Sequence, residues 1–172
     1  MATEILNNCH FDSTKIQKLY LGAPTFPLEY KTIAGSVDSI ITYDLWTGDT
    51  ILIGGQYIIL QEVLSTNGNI VFDEELVIDT RGKNYVKTIS FNLSGINLSL
   101  IDSLELYTLT INGKITPTKL IGILIDENNE TLICGYDNPL TLESSAAVIG
   151  EDNLITFIFK SSSKSRSRII EK

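Results

Sequence analysis

Few residues of this sequence have side chains that could act as nucleophiles or as acid–base groups near neutral pH. The single histidine, His10, directly follows Cys9 in "NNCHF", and the second cysteine is Cys134. A nucleophilic site needs an imidazole beside the nucleophile, whereas neighbouring side chains of an extended chain point in opposite directions. The sequence therefore predicts no catalytic dyad at Cys9 and His10. Nothing in it pairs His10 with Cys134, and we interpret both cysteines as free thiols.

Metal and phosphate motifs are also missing from the sequence. One histidine and two distant cysteines are too few for a zinc site of the usual kind, and no GxxxxGK[ST] loop is present. The segment "DENNE" sets Asp126, Asn128 and Glu130 at alternate positions, as in a calcium loop. Thr131, however, stands where that loop requires glycine, and its bidentate acid is absent. We interpret the segment as a solvated hairpin tip and expect no cofactor.

Glycoside hydrolysis needs only two carboxylates, so a glycosidase-like enzyme remains one alternative. The acids mostly lie in turn-like contexts, such as Asp73 to Glu75, and no spacing singles out an acid and a nucleophile. Sugar binding without cleavage would instead use exposed aromatic rings. The candidate rings are Trp46, Tyr43, Tyr57, Tyr107 and Tyr136. The chemistry available in the sequence thus favours a protein that is not an enzyme.

The elements that must position these residues are strands. Short apolar runs alternate with polar residues, as in "VDSIITYDLW" and "NYVKTISFNL", and Gly, Asn or Asp bound each run. That alternation is typical of half-buried strands. Hairpins are predicted at Asn67-Gly68, at Asn112-Gly113 and at Asp126 to Glu130, because Asn-Gly supplies the positive φ angles of a tight hairpin turn. The chain from about Leu104 to Tyr136 is predicted to form a three-strand meander.

These patterns predict an all-β fold of about eight to ten strands. We expect a single antiparallel β-sandwich, of jelly-roll or immunoglobulin-like type, over residues 15–160. Residues 1–14 are predicted to be an N-terminal arm, and residues 161–172 a flexible basic tail. The tail offers no periodic apolar face to offset its ordering entropy.

The charge of the chain divides unevenly. From Lys160 onward there are five basic residues and one acidic residue, a local charge of +4, which leaves -12 for the first 159 residues of a chain with net charge -8. An acidic body repels nucleic acid, so direct nucleic-acid binding is not favoured. The tail is better suited to docking on an acidic protein, including a neighbouring copy. Its candidate docking residues are Lys164, Arg166, Arg168, Ile169 and Ile170. The alternative is a terminus that only adds solubility.

A short phrase near the start of the chain points toward viruses. The sequence "KLYLG" at residues 18–22 resembles a phrase found in tail and other structural proteins of bacteriophages. The resemblance implies a non-enzymatic structural protein of a virus particle, such as a capsid, head-decoration or tail-associated protein. Its expected partners are other virion proteins and copies of itself. A carbohydrate-binding module that recognises a surface glycan is the alternative.

The location follows from what the sequence lacks. The first residues contain no basic region followed by an apolar one, and no apolar run reaches the length of a membrane span. We therefore expect synthesis in a host cytoplasm, a final location in the virion and no membrane partner.

Overall fold

The fold contains only strands in the residues that the structure describes. This computed structural model describes residues 11–33, 40–63, 70–94, 108–111, 114–148 and 154–172, and the prediction of an all-β fold is confirmed there. The strands are β1 Ile16–Gly22, β2 Lys31–Ile33, β3 Ile40–Thr42, β4 Leu45–Thr47, β5 Thr50–Ile53, β6 Gln56–Glu62, β7 Ile70–Asp79, β8 Gly82–Ser94, β9 Thr108–Ile111, β10 Lys114–Pro117, β11 Ile121–Asp126, β12 Thr131–Cys134, β13 Thr141–Val148, β14 Leu154–Ser163 and β15 Arg168–Glu171.

The strands form a sheet of nine, a sheet of four and a separate pair. The large sheet has the order β2-β3-β15-β12-β11-β1-β6-β5-β4, the smaller sheet the order β13-β14-β8-β7, and β9 pairs with β10. Pairing is antiparallel except between β15 and β3, which run parallel. The expected single antiparallel sandwich is thus only partly matched, because the pairing is mixed and the strands outnumber the prediction.

The nine-stranded sheet curls until its two ends meet. Residues 40–47 form one bent segment, whose first half, β3, pairs with β15 and whose second half, β4, pairs with β5. Between the halves, the Tyr43 backbone N–H donates to Glu171 O at 2.9 Å and the Asp44 N–H donates to Leu52 O at 2.9 Å. This segment therefore joins both ends of the sheet and encloses its concave face.

Two apolar cores result from this arrangement. The first core lies between the two sheets, where Leu19 of β1 and Leu124 of β11 pack with Phe91 and Phe159 of the smaller sheet. The second core fills the concave face of the large sheet. Its members include Ile41, Ile51, Ile58, Ile123, Ile133 and Ile170. Strand β11 faces both cores, which explains why "IGILI" is an unbroken apolar run rather than an alternating one.

The predicted hairpins have different outcomes. Strands β9 and β10, which flank Asn112-Gly113, pair with Lys114 opposite Ile111, and β11 pairs with β12 around Asp126 to Glu130, so both hairpins are confirmed. The prediction of a hairpin at Asn67-Gly68 is wrong, because β6 belongs to the large sheet and β7 to the small one. The prediction of a three-strand meander from about Leu104 to Tyr136 is also wrong, since β10 pairs with β9 and not with β11.

The N-terminal boundary of the domain lies earlier than predicted. Residues 1–10 of the expected arm are outside the described residues, but residues 11–14 pack onto the domain. Phe11 contacts Phe72 edge to face, with ring centroids 6.5 Å apart. The Asp12 N–H donates to Asp126 Oδ2 at 3.0 Å.

The predicted flexible tail, residues 161–172, is instead part of the fold. Residues 161–163 complete β14, and β15 is inserted between β3 and β12. We call residues 164–171 the closing segment, because β15 links the two halves of the large sheet. Ile170 is only 3% exposed and belongs to the second core. The ordering entropy is offset by sheet hydrogen bonds and by this burial, neither of which is visible in the local composition.

Candidate functional site

A buried lysine lies where the closing segment passes from the small sheet to the large one. Lys87 of β8 is fully buried. Its Nζ donates to Ser163 Oγ at 2.5 Å and to Ser165 O at 2.6 Å, and lies 3.8 Å from Asp137 Oδ1. A buried ammonium group requires such partners, because an unpaired buried charge is very costly. Lys87 therefore connects β8 to Ser163, Ser165 and Asp137.

Two further side chains hold the backbone of the closing segment. The Tyr136 hydroxyl donates to Arg166 O at 2.7 Å, and Glu74 Oε2 accepts from the Ser167 N–H at 2.6 Å. With Lys87, they satisfy backbone groups at residues 165, 166 and 167. We call Glu74, Lys87 and Tyr136 the backbone clamp.

Cys134 lies close to this clamp, and its thiol is removed from solvent. Its side chain is fully buried, and burial raises the pKa of its thiol from the ordinary 9.0 to about 12, although the charge of Lys87 opposes the shift. The thiolate, which is the reactive form, is thus suppressed. The interpretation of Cys134 as a free thiol is confirmed.

We expect Cys134 to resist iodoacetamide at pH 8 in the folded protein and to react fully in denaturant. Because the thiol pKa is higher in the folded state, its contribution to stability is complete below about pH 9 and is lost as the pH rises toward 12. Peptide mass spectrometry measures alkylation at this residue. Fast alkylation without denaturant would contradict the assigned burial, and a Cys134→Ala variant should lose the part of the alkaline destabilisation that this thiol causes.

The five predicted docking residues do not form one exposed site. Ile170 is in the second core, and partly buried Ile169 packs against the first core. Arg166 lies beside Glu74 of the same chain, with Nε 3.4 Å from Oε1, and Arg168 lies over the Tyr136 ring at 5.8 Å. Lys164 donates to Arg81 O at 3.4 Å. Of these three basic residues, Arg166 forms an ion pair within the chain, whereas Lys164 contacts a backbone oxygen and Arg168 an aromatic ring.

The convex side of strands β4, β5 and β6 carries an exposed apolar surface. Leu45, Leu52 and Tyr57 lie directly opposite one another across the three strands, and Ile59 follows on β6. Their neighbours Ile51, Ile53 and Ile58 point into the second core, so these four point outward. Leu45 is 43%, Tyr57 68% and Ile59 74% exposed. We call these four residues the β4–β6 surface.

This surface continues the face that the small sheet covers elsewhere. On β1, the outward residues Leu19 and Leu21 are buried in the first core, whereas Tyr57 and Ile59 on the adjacent β6 are exposed. The sequence carries a signal for this site. In "DTILIGGQYIIL" the apolar residues occupy both faces of β5 and β6. A strand that is apolar on both faces is normally covered on both.

Of the aromatic candidates for sugar binding, Tyr57 is the most exposed in the described part of the chain. Tyr136 is buried, and Trp46 packs edge to face against Tyr20 and Tyr43 at 5.6 and 5.8 Å. Tyr107 lies outside the described residues. Three of the five rings are thus accounted for by packing.

A shallow depression on the outer face of the small sheet is lined in part by acidic residues. Asp73, Glu75 and Glu143 line a volume of about 730 Å³. Lys160 forms an ion pair with Glu143 at 2.8 Å. Glu74 also lines this depression, and its carboxylate accepts a hydrogen bond in the backbone clamp. No group of three or more His, Cys, Asp or Glu side chains suited to a metal ion occurs among the residues with described positions.

The predicted tip at Asp126 to Glu130 is a turn organised by its first residue. Asp126 is buried, and its Oδ1 accepts from the Asn128 and Glu130 N–H groups, each at 2.9 Å. Its carboxylate therefore stabilises the turn and is not solvated, which corrects the interpretation for this residue. Asn128 and Asn129 are exposed, as a hairpin tip requires.

Comparison with known proteins gave no match to a family model, to a curated protein or to a solved structure. In the described ranges, no helix is long and apolar enough to cross a membrane.

Proposed function

We propose that this protein is a non-enzymatic structural component of a virus particle and acts through protein–protein assembly. The observation that carries the proposal is the β4–β6 surface. It places two leucines, an isoleucine and a tyrosine side by side on three neighbouring strands of the large sheet. Adjacent exposed apolar residues of this kind mark interaction sites more often than scattered single ones do.

The composition of the surface supports binding to a protein. Aromatic residues are enriched at the centres of protein interfaces, and charged residues are depleted there. Tyr57 supplies an aromatic ring with a polar hydroxyl, and Thr47 and Thr50 border the apolar row without charge. The side chains of Lys87 and Cys134 could in principle be reactive, but both are buried, and burial raises the pKa of the Cys134 thiol. This supports a non-enzymatic role.

Support for a virus particle, rather than another assembly, rests on the resemblance of "KLYLG". In the structure this phrase forms most of β1. Leu19 and Leu21 pack in the first core, and Gly22 lies so close to β6 that an added Cβ would fall 2.8 Å from Ile58. Packing alone explains why small and apolar residues are needed here. The resemblance thus contributes no binding residue.

Mass spectrometry of purified particles tests the proposed location. We expect the protein to be present in a fixed ratio to the major capsid or tail proteins after repeated gradient purification. Abundance in infected cells together with absence from particles would contradict the proposal.

Replacing both Tyr57 and Ile59 with serine is expected to weaken assembly at least tenfold while leaving the fold intact. Both side chains are largely exposed, so the second core does not lose packing, whereas an interface would lose its central apolar contacts. Analytical ultracentrifugation measures the association and circular dichroism measures the Tm. The matched control is Ile78→Ser, because Ile78 is 75% exposed on β7, away from this surface. Equal loss in both variants would point to general solubility and not to this interface.

A carbohydrate-binding module is the second candidate, and the exposed ring of Tyr57 is the observation that favours it. An aromatic ring flanked by aliphatic side chains can stack on a sugar face. A glycan array tests this candidate, with Tyr57→Ser as the control. Binding that this substitution abolishes would favour sugar recognition over assembly, and an array without any ligand would eliminate it.

A further inference from the structure

We propose that the free end of the β7–β8 hairpin is a docking surface for an acidic segment of a partner protein. The proposal goes beyond the assembly function above and does not depend on it, because this surface lies on the small sheet and the β4–β6 surface on the large one. It combines apolar residues of the hairpin with basic residues of the hairpin and of the closing segment. We call it the hairpin-end surface, and its residues are Leu76, Ile78, Lys83, Tyr85, Lys164 and Arg166.

The inner face of β7 is buried near the start of the strand and exposed near its end. Ile70 and Phe72 pack in the first core, whereas Leu76 is 47% and Ile78 75% exposed. These four residues share one face, because even numbers of positions separate them along the strand. Tyr85 of β8 lies directly opposite Leu76, so its ring is on the same face. The hairpin therefore extends past the first core and exposes apolar side chains at its end.

Basic side chains gather around the Tyr85 ring. Lys83 Nζ lies 6.0 Å and Arg166 Cζ 5.9 Å from the centre of this ring. Lys164 reaches the turn of the same hairpin, where its Nζ donates to Arg81 O at 3.4 Å. All three basic residues are exposed. Two segments that are far apart in sequence thus place three positive charges beside the apolar end of the hairpin.

The chain itself balances only part of this positive charge. Arg166 pairs with Glu74 at 3.4 Å, but no carboxylate at a described position lies within ion-pair distance of Lys83 or Lys164. The chain has 21 acidic and 13 basic residues, so this grouping of basic residues is not due to a shortage of carboxylates. Neighbouring like charges repel one another, and an anionic partner would relieve that repulsion. The surface is therefore complementary in charge to a negatively charged ligand.

An acidic protein segment fits this surface better than nucleic acid does. Single-stranded nucleic acid binds through bases that stack on open aromatic faces, whereas basic groups already lie over the Tyr85 ring. An extended phosphate chain would also meet the carboxylates of Asp73 and Glu75 on the same hairpin. Leu76 and Ile78 offer apolar contacts that protein side chains can match. The expected ligand is a short segment that contains both acidic and apolar residues.

Fluorescence anisotropy tests the surface with a labelled synthetic peptide in which central leucines are flanked by glutamates. The full-length protein should bind this peptide. Combining Lys83→Glu with Lys164→Glu should weaken binding about tenfold, because attractive charges become repulsive. Raising the salt concentration should weaken binding to the wild type several-fold. The double variant should keep the Tm of the wild type, since both side chains are exposed.

The matched control combines Lys18→Glu with Lys31→Glu, which changes the net charge equally at exposed positions of β1 and β2. Its affinity for the peptide should stay within about twofold of the wild type, because remote surface charges are screened by salt. Replacing Leu76 and Ile78 with serine, or the leucines of the peptide with serine, should each weaken binding several-fold. Equal loss in the two charge variants would show attraction to net charge alone and would overturn the proposal.

Two other probes separate the classes of ligand. A labelled single-stranded oligonucleotide and vesicles containing phosphatidylserine should both bind more weakly than the peptide at physiological salt. Tighter binding of either probe, or no binding of the peptide, would overturn the assignment of an acidic protein partner. Self-association through the β4–β6 surface should be unchanged in the variant with Lys83→Glu and Lys164→Glu. Failure of peptide binding therefore leaves the proposed assembly standing, and loss of assembly when Tyr57 and Ile59 are replaced leaves the hairpin-end surface standing.

Discussion

The Ile170→Asp substitution is expected to lower the Tm by about 10 °C or more, the largest effect of any single change considered. Ile170 is 3% exposed and lies in the second core beside Ile41. An unpaired carboxylate there loses the packing of isoleucine and adds a desolvation cost, together about 4 kcal/mol or more. In a domain of this size, each kcal/mol shifts the Tm by about 2–4 °C.

Thermal unfolding followed by circular dichroism measures this effect. Glu171→Ala is the matched control, because this next residue is exposed and is not a member of the second core. The control should unfold within about 2 °C of the wild type. If Ile170→Asp did the same, the closing segment would not contribute to the core and the sequence-based prediction of a flexible tail would be restored.

The Lys87→Ala substitution is expected to cost about 3 kcal/mol of unfolding free energy. It leaves Ser165 O, Ser163 Oγ and the Asp137 carboxylate without their shared partner. Unsatisfied buried polar groups and a broken buried ion pair each cost kilocalories. Urea unfolding measures the loss, which should be accompanied by faster hydrogen exchange at residues 165–167.

Two comparisons separate the causes of this loss. Lys87→Met keeps the apolar stem but removes the charge, so the difference from Lys87→Ala measures packing. Lys160→Ala breaks an ion pair with Glu143 that is about half exposed, and should cost about 1 kcal/mol or less. If the two lysine-to-alanine changes cost the same, Lys87 does not serve as a buried clamp.

The sequence was informative where structure is decided locally. Asn112-Gly113 joins strands that pair directly, because a two-residue turn fixes the register of its own hairpin. Asn67-Gly68 carries the same turn signal, but the strands around it belong to different sheets. A turn motif predicts that the chain reverses direction, but it does not determine which strand the next strand pairs with.

The prediction for the tail failed and the β4–β6 surface was not predicted, because both features depend on contacts between residues distant in sequence. The composition around Ser161 and Ser163 predicts a flexible tail, yet both residues are buried. The Ser161 hydroxyl donates to Asn138 O, and the Ser163 hydroxyl donates to Ser165 O and accepts from Lys87. Order in this segment is imposed by residues distant in sequence, which local composition does not encode. The β4–β6 surface was missed for a related reason, since which side of a two-sided apolar strand stays uncovered depends on the extent of the opposing sheet.

The parallel pair of β3 and β15 also affects how fast the molecule can fold. Residues 40–42 and 168–171 are separated by most of the described chain, so bringing them together carries a large loop-closure entropy, and such long-range pairing slows folding. The hairpins β7–β8 and β11–β12 close short loops, so we expect them to form earlier. We therefore expect the large sheet to close late in folding, with the apolar side chains around Ile41 accessible to water until β15 pairs with β3.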